Sequence, residues 1–218
     1  MQMPSQPAER HFDPIDRLIA PIDRALRTLA GAYDSSRASP AESIPDSLPA
    51  EHRKEVAALM RVNHSGEIAA QALYQGQAFV AKSAATRESL MEAGREESDH
   101  LAWCAARIQE LGGRRSLLDP IWYAGSFAIG ALAGLAGDST SLGFVAETER
   151  QVVQHLRSQL ERLPAEDVRT RAILEQMSAD EERHGSAAQN AGGIDLPAPA
   201  RALMKLTGRI MTRTAFWL

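Results

Sequence analysis

Two copies of the pattern Glu-x-x-His stand 84 residues apart in this chain, and an isolated glutamate precedes each copy by 30 or 32 residues. The six residues concerned are Glu67, Glu97, His100, Glu149, Glu181 and His184. Side chains three positions apart project from one face of a helix, about one turn apart. Four helices with these residues facing inward would bring four carboxylates and two imidazoles to one point. That is the ligand set of a two-iron or two-manganese centre in a ferritin-like bundle.

The helices that position these residues are visible in the apolar periodicity. We expect four bundle helices, over about 50–82, 86–111, 138–163 and 166–190. The periodicity also separates neighbouring glutamates, because Glu149 lies on the apolar stripe of its helix and Glu147 lies about 200° away at 100° per residue. It likewise favours Glu181 over Glu182, whose neighbours on the same face are polar.

Glutamates at core positions need compensating charge. Burying one without compensation costs several kcal/mol, and four together would also repel one another. The pattern therefore predicts two divalent metals between them. Each metal would take one Glu-x-x-His pair, while Glu67 and Glu149 would bridge or terminate. Mixed carboxylate and imidazole ligands with open positions suit iron and oxygen chemistry.

Five further residues are candidates for weaker roles. His64, one turn before the first glutamate, is a candidate third histidine ligand, although a role beside the ligands or toward solvent is the favoured interpretation. Cys104 is expected to be a small core residue and His155 a polar surface residue. Asp99 and Asp180 adjoin ligands in sequence. Since ligating histidines usually donate their other N–H to a carboxylate or carbonyl, one aspartate could accept that hydrogen bond; exposed charge is the alternative.

The composition favours one helical domain. With 218 residues, 44% hydrophobic and only 5% aromatic, the chain can bury a core and favours helix over sheet. We expect an all-α, ferritin-like four-helix bundle over 50–195 with an additional apolar helix, a helix-and-loop extension over 1–49, and a C-terminal amphipathic helix over 196–218. The net charge of −4 gives no general reason to expect nucleic-acid binding. The single cysteine fits a reducing compartment, and no apolar leader marks a signal peptide.

Two segments indicate contact with lipid. Residues 120–137 carry no charge but include glycines, and we interpret them chiefly as a buried or half-buried bundle helix whose small residues allow close helix approach or leave a groove for a slender ligand. Partial insertion into a bilayer surface is the alternative. Residues 199–218 combine basic and apolar side chains and end in Phe-Trp-Leu, which is typical of an interfacial helix and equally of a docked terminal helix. Together the two segments favour a peripheral membrane protein with a lipid-soluble substrate.

Three motifs resemble those of one known family. They are Arg61-Val-Asn-His-Ser-Gly-Glu67, Glu96-Glu97-Ser98-Asp99-His100 and Asp180-Glu181-Glu182-Arg183-His184. The set is similar to the motifs of the demethoxyubiquinone hydroxylases of ubiquinone biosynthesis, and the similarity covers about residues 50–218. Eukaryotic members carry His-His-Tyr after the third-helix glutamate, where this chain has Gln154-His155-Leu156, so no role for that tyrosine is expected here.

The resemblance implies a di-iron, ferritin-like monooxygenase with two irons per chain. Such an enzyme hydroxylates the ring of a polyprenylated methoxy-methyl-benzoquinol with O2, peripherally at the cytoplasmic face of the cell membrane. Assembly with other ubiquinone-biosynthesis proteins is also expected, and a nucleic-acid partner is not. By the resemblance, the iron ligands are Glu67, Glu97, His100, Glu149, Glu181 and His184.

Other interpretations of the pattern stay open at this point. The electron donor is an external reductase, a nicotinamide or the quinol itself, since no Gly-x-Gly-x-x-Gly fingerprint occurs. A di-iron enzyme acting on a modified nucleoside is disfavoured by the negative net charge. An iron-storage protein is disfavoured by the apolar segments, because a cage needs a polar exterior.

Overall fold

The computed structural model describes residues 14–218, and the regular structure in that range is entirely helical. The helices are α1 (Pro14–Ala30), α2 (Ala50–Val80), α3 (Ala84–Glu110), α4 (Asp119–Leu135), α5 (Asp138–Leu160), α6 (Val168–Asn190) and α7 (Ala198–Trp217). The four expected bundle helices are confirmed as α2, α3, α5 and α6. Their ends lie within a few residues of those that the periodicity predicts.

Local chemistry sets the ends of the two helices that carry Glu-x-x-His. The side chain of Ser83 accepts a hydrogen bond from the Thr86 N–H at the start of α3, and Asp167 accepts one from the Thr170 N–H at the start of α6. Each helix is followed closely by a glycine with positive φ, at 73° in Gly112 and 102° in Gly192, which ends the helix without strain.

The four bundle helices form two antiparallel pairs. Short loops join α2 to α3 and α5 to α6, and each pair packs along its length. α4 connects the first pair to the second, so the bundle contains one long crossover of the kind found in ferritin-like folds. The expected all-α, ferritin-like bundle is confirmed.

Two apolar clusters fill the ends of the bundle interior. The first includes Met60, Leu156 and Leu174, and the second includes Tyr74 and Leu142. On each of the four helices, the glutamate or the Glu-x-x-His pair lies between the residues of the first cluster and those of the second. The polar residues of the pattern therefore meet at mid-height, with apolar packing on both sides that keeps water away.

α4 packs against α2 through small residues. A Cβ atom at Gly76 or Gly130 would collide with the backbone of the facing helix, so the two helices approach closely. Tyr123 is buried, whereas Ile121 and Leu132 are 63% and 67% exposed. The half-buried interpretation of residues 120–137 is confirmed. In the described range, no helix has the length and apolar character needed to span a bilayer.

The extension before the bundle is joined to it by polar contacts. α1 continues through Pro21, and residues 31–49 cross the bundle without regular structure. Asp46 accepts hydrogen bonds from Arg53 at 2.9 Å and from Arg107 at 3.3 Å, and Ser47 Oγ donates to the Glu166 carbonyl at 2.9 Å. The part of the expected extension before residue 14 lies outside the described residues. The boundaries at 49 and 195 stay predictions.

α7 is docked at its end and exposed along its first turns. Nε of Arg61 donates to the Ala215 carbonyl at 2.7 Å, and its guanidinium also donates to the Phe216 carbonyl. Three apolar side chains earlier in the helix are at least half exposed: Leu203, Leu206 and Ile210. Both interpretations of the segment therefore describe part of it, since one end is a docked helix and the other presents an apolar row to solvent.

Candidate metal centre

The bundle brings the residues of the Glu and Glu-x-x-His pattern into one buried cluster. Atoms of Glu67, Glu97, His100 and Glu181 that could ligate a metal all lie within 4.8 Å of one another. His184 adjoins this group, with Nδ1 3.0 Å from Glu181 Oε2. Five of the six predicted residues therefore meet through direct contacts.

Glu149 completes the cluster from α5. Its side chain is buried, and its Oε1 accepts a hydrogen bond from the Tyr74 hydroxyl. Burial raises the pKa of Glu149 well above its usual value, and the nearby charges of Glu181 and Glu97 raise it further. Glu149 is thus part of the same group of interacting charges.

Glu97 and Glu181 lie between the two histidines. Nδ1 of His100 is 3.1 Å from Glu97 Oε2 and 3.1 Å from Glu181 Oε1. Nδ1 of His184 is 3.3 Å from Glu97 Oε1 and 3.0 Å from Glu181 Oε2. Each of the two carboxylates presents one oxygen to each imidazole, whereas Glu67 Oε2 lies 3.7 Å from His100 Nδ1. Glu97 and Glu181 therefore each contact both imidazoles, whereas Glu67 lies near His100, and whether any of the glutamates bridges two metals stays a prediction.

The electrostatics are those of crowded buried acids. Burial raises the pKa of Glu67 well above its usual value, and Glu97 and Glu181 add to the rise against a lowering hydrogen bond from His100. Burial acts to lower the pKa of His184, but hydrogen bonds to Glu181 and Glu97 outweigh it and raise the pKa to about 11. The pKa of His100 is also raised well above its usual value. Near neutral pH the His184 imidazole therefore carries a proton, and its positive charge offsets part of the negative charge of the cluster.

The donor set fits two divalent cations. Within residues 14–218, Oε1 of Glu97 and Oε1 of Glu181 are buried and left unsatisfied, because the histidine Nδ1 that each one faces is hydrogen-bonded to Oε2 of the other glutamate. Such oxygens are costly unless something positive compensates them. Four carboxylates carry the charge that two divalent cations cancel, and both imidazoles turn Nδ1 inward. The residues present are those of carboxylate–histidine sites for two metals in helical bundles.

The outward-facing Nε2 atom of each histidine contacts an acid on the other Glu-x-x-His helix. His100 Nε2 lies 3.1 Å from Asp180 Oδ2, and His184 Nε2 lies 3.2 Å from Glu96 Oε2. Each of these acids directly precedes the ligand glutamate of its own helix, so each Glu-x-x-His helix orients the histidine of the other. Burial acts to raise the pKa of Asp180, but hydrogen bonds from His100 and Arg37 outweigh it and lower the pKa to about 2. The expectation that Asp180 accepts such a hydrogen bond is confirmed.

Two of the weaker candidates lie away from the cluster. His64 Nε2 is 2.6 Å from the Tyr33 hydroxyl, and its Nδ1 faces Asp119 Oδ2 at 3.4 Å without a hydrogen bond, so both ring nitrogens have their nearest polar neighbours outside the centre. Cys104 is a core residue, as expected, with Sγ 3.8 Å from Met177 Sδ.

The expected surface position of His155 is wrong. The ring is half-buried, and its Nε2 is hydrogen-bonded to the Gln159 side chain at 2.8 Å. Gln159 lies one turn further along the helix and accepts a hydrogen bond from Asn63 at 2.7 Å, which fixes its position. The two rejected glutamates do lie off the cluster. Glu147 pairs with Arg150, and Glu182 pairs with Arg157.

Three residues around the centre have roles that the sequence pattern did not predict. Tyr74 follows Glu67 by seven positions, two turns along the same face, and that spacing was available as a signal. Glu96 has the same offset from its ligand as Asp180 and could have been found by comparing the two motifs. Arg37 had no local signal, because its contacts lie 62 residues and more along the chain.

A groove of about 1270 Å³ runs between α1, α2 and α3 and reaches the edge of the centre. Tyr74 and Glu96, which hydrogen-bond Glu149 and His184, both line it. Its walls also include apolar side chains such as Phe79, Leu90 and Met91. Charged side chains such as Arg87 and Arg95 line it as well, and the groove borders the side of the cluster on which His184 lies.

Fold and cluster together define the class: a ferritin-like helical bundle with a buried carboxylate–histidine centre of the kind that binds two metals. More particularly, the chain belongs to the family described as ubiquinone biosynthesis protein COQ7, whose sequence profile matches residues 54–215. The expected family is confirmed.

Full-length relatives extend this match. The chain is 58% identical over 205 residues to the 3-demethoxyubiquinol 3-hydroxylase of Cupriavidus metallidurans, and the alignment covers 93% of this chain and 99% of that protein. Proteins of the same name from Ralstonia pickettii and Nitrosococcus oceani are 55% and 53% identical, over 93% and 96% of this chain and 99% of each relative. These alignments reach well into the residues before 50, beyond the range of the resemblance seen in the motifs.

Proposed function

We propose that this chain hydroxylates the ring of 3-demethoxyubiquinol at the centre formed by α2, α3, α5 and α6. The observation that carries the proposal is the buried convergence of four carboxylates and two imidazoles in a chain that matches hydroxylases of that name over almost their whole length. The predicted activity, a quinol-ring hydroxylation of ubiquinone biosynthesis, is the one that the relatives' name describes.

The finer part of the proposal is that the centre holds two iron ions. Six residues would hold them: Glu67, Glu97, His100, Glu149, Glu181 and His184. When bound, iron supplies the redox and O2 chemistry that hydroxylation of the ring requires. The proposal rests on the donor set and on the two buried carboxylate oxygens without hydrogen bonds.

The chain's own residues do three things for the reaction. The apolar clusters on both sides of the centre exclude water, which strengthens the electrostatic interactions inside. Asp180 and Glu96 fix the histidine rings so that Nδ1 faces the ligands. Tyr74 holds Glu149 by a hydrogen bond at the end of the groove, where the quinol ring would approach.

The polyprenyl tail of the substrate gives the exposed apolar helices a role. α1, α4 and α7 all pack on α2 outside the bundle and expose large apolar side chains. The backbone at the start of α4 also contacts the chain end, where the Leu117 N–H donates to the Leu218 carbonyl at 3.1 Å. These helices would contact the cytoplasmic face of the membrane, from which a long-tailed quinol reaches the groove. Assembly with other ubiquinone-biosynthesis proteins stays a prediction.

The test is complementation of a strain that lacks its own quinol hydroxylase and accumulates the demethoxy quinone. The wild-type chain should restore ubiquinone, and the purified protein should bind two irons. Glu149→Ala should lose both properties, because it removes a ligand from the cluster. Glu147→Ala is the matched control on the same helix and should retain both, since Glu147 contacts Arg150 and Gln151 instead. Restoration by Glu149→Ala would contradict the proposal.

A further inference from the structure

An arginine of the N-terminal extension reaches the surroundings of the metal centre. Arg37 lies outside the bundle helices and before the part of the chain that the family profile matches. Its Nε is 2.7 Å from Asp99 Oδ2, and its Nη1 is 2.8 Å from Asp180 Oδ2. The side chains of both aspartates are almost completely buried, at 2% and 1% exposure. One guanidinium from the extension therefore joins α3 to α6.

Arg37 contacts the carboxylate oxygen of Asp180 that also faces His100. Oδ2 of Asp180 is also the atom that faces His100 Nε2, at 3.1 Å. The other oxygen, Oδ1, accepts hydrogen bonds from Gln176 at 3.0 Å and from Arg183 at 2.7 Å. Arg37 is therefore the donor that shares an oxygen with His100, while the remaining donors hold the opposite side of the carboxylate.

The position of Arg37 is set by the loop that carries it. Asp99 accepts hydrogen bonds from the backbone N–H groups of Ser36 at 2.6 Å and Arg37 at 3.1 Å, and from Ser35 Oγ at 3.0 Å. The guanidinium also lies 4.8 Å from the centre of the Trp103 ring, whose indole N–H donates to the Arg37 carbonyl. A residue held at its backbone, its guanidinium and its stacking face is preorganised and does not have to be ordered when a metal binds.

We propose that Arg37 is a positioning residue of the metal centre. Its guanidinium locks Asp180 Oδ2 against His100 Nε2 and so holds Nδ1 of His100 toward Glu97 and Glu181. The inference rests on the metal centre proposed above and adds to it a part of the chain outside the bundle. Arginine suits this role because its planar fork of donors can address two carboxylates at once, which a lysine ammonium does less well.

The experiment compares metal binding by the wild type, Arg37→Ala, Arg37→Lys and Arg27→Ala. Arg27 is the matched control, an exposed arginine of the same extension whose ion pairs are with Asp23 and Asp34 on the surface. The full-length proteins are titrated anaerobically with Fe²⁺ and with Co²⁺ in competition with a chromophoric chelator. Loss of a residue that orients a metal-bound histidine typically weakens binding about 10–100-fold. Because Arg37 acts through Asp180, Arg37→Ala should lose up to about tenfold in affinity for one ion. Arg37→Lys should lie between it and the wild type, and Arg27→Ala should match the wild type.

A second measurement separates positioning from general packing. In the Co²⁺-loaded protein, the Nε2–H proton of His100 gives a shifted NMR signal whose exchange with D2O reports its hydrogen bond to Asp180. That exchange should be faster in Arg37→Ala, whereas the corresponding proton of His184, which is bound to Glu96, should be unchanged. A purely structural defect would change both protons together, or would appear in Arg27→Ala as well.

The possible outcomes are distinct. Wild-type affinity and exchange in Arg37→Ala would overturn the inference, and so would equal losses in Arg37→Ala and Arg27→Ala. If Arg37→Ala does not fold, Arg37→Lys decides: weaker binding with unchanged helix content supports positioning, and unchanged binding overturns it. A wild-type protein that binds no metal would remove the centre itself and the role of Arg37 with it, a result unlike any failure confined to the Arg37 variants.

Discussion

The two histidines of the centre have similar partners but different surroundings. His100 is completely buried, and its Nε2 meets Asp180, a carboxylate of 1% exposure that three other side chains hold. The His184 side chain is 7% exposed, and its Nε2 meets Glu96, which is 33% exposed, pairs with Arg183 and lines the groove. The cluster is thus symmetric in its inner carboxylates and imidazoles and asymmetric around them. The half near His100 is closed and held by several buried contacts, whereas the half near His184 borders the groove.

The largest effect should come from the acids that hold the two histidines. Asp180→Asn should weaken metal binding about 10–100-fold, because it removes a buried anion and a well-held acceptor from His100. Glu96→Gln should weaken it by less than about tenfold, because Glu96 is partly exposed and water can replace it. Chelator competition with each purified variant gives both values.

Two controls make this comparison decisive. Glu182→Gln changes an exposed acid on the same helix as Asp180 and should leave metal binding unchanged, since Glu182 pairs with Arg157. Equal losses in Asp180→Asn and Glu96→Gln would show that the asymmetry in burial has no energetic consequence for the centre.

The convergence of the inner carboxylates and imidazoles could be predicted from the sequence, their role as ligands stays a prediction, and the asymmetry around them could not be predicted. Helical periodicity places a residue on a face, so it separated Glu149 from Glu147 and Glu181 from Glu182. The same reasoning found the four bundle helices, because their apolar stripes are long and regular.

Residues whose roles depend on distant contacts carry no such pattern. Arg37 acts through Asp99 and Asp180, and the order of residues in the chain does not show that the extension turns back across α3. The predicted surface position of His155 is wrong for a related reason. Whether a ring off the apolar stripe is exposed depends on its neighbour, here Gln159. Packing between separate segments decides both cases.

The affinity for metal should rise with pH in both halves. In the metal-free protein the pKa of His184 is raised to about 11, so this imidazole holds a proton near pH 7, and burial and neighbouring charges shift the pKa values of His100, Glu67 and Glu149 upward as well. A metal must displace any proton that its ligands hold, and each proton released makes binding about tenfold tighter per pH unit. Anaerobic titration with Fe²⁺ in weak buffer should show proton release. Uptake without proton release, or affinity independent of pH between 6 and 8 (about the range in which ordinary imidazole titrates), would contradict these pKa directions.

Tyr74→Phe should change the open half by a smaller amount. The Tyr74 hydroxyl donates to Glu149 and opposes the rise in the pKa of that carboxyl, so its loss should raise the pKa further. Metal binding at pH 7 should weaken by about threefold to tenfold, as expected for one lost hydrogen bond of roughly 1 kcal/mol, and the deficit should shrink as the pH rises. Tyr123→Phe is the control, since its hydroxyl donates to Gln75 away from the centre. A deficit that grows with pH would have the wrong sign.

Substitutions in the exposed apolar row of α7 should leave metal binding in both halves of the centre unchanged. Leu203, Leu206 and Ile210 are 61%, 53% and 50% exposed, while the end of the same helix is fixed to the bundle by Arg61. Changing the three to serine should therefore remove apolar contact with a bilayer without undocking the helix. A deletion of 199–218 would remove both the apolar contact and the docked end of the helix.

The triple variant should sediment less with anionic liposomes and show a higher KM for a long-tailed quinol. Its turnover of a short-tailed, soluble quinol and its metal content should stay within about twofold of the wild type, because all six proposed ligands lie before residue 185 and the three substituted side chains face solvent. Salt should weaken the sedimentation of the wild type, because part of the attraction comes from basic side chains near headgroups.

The control is Val168→Ser, which changes an exposed apolar residue at the start of α6 and should behave as the wild type. Equal losses on both quinols would make α7 a structural support of the bundle. Unchanged sedimentation would move the lipid contact to α1 and α4, which also expose large apolar side chains.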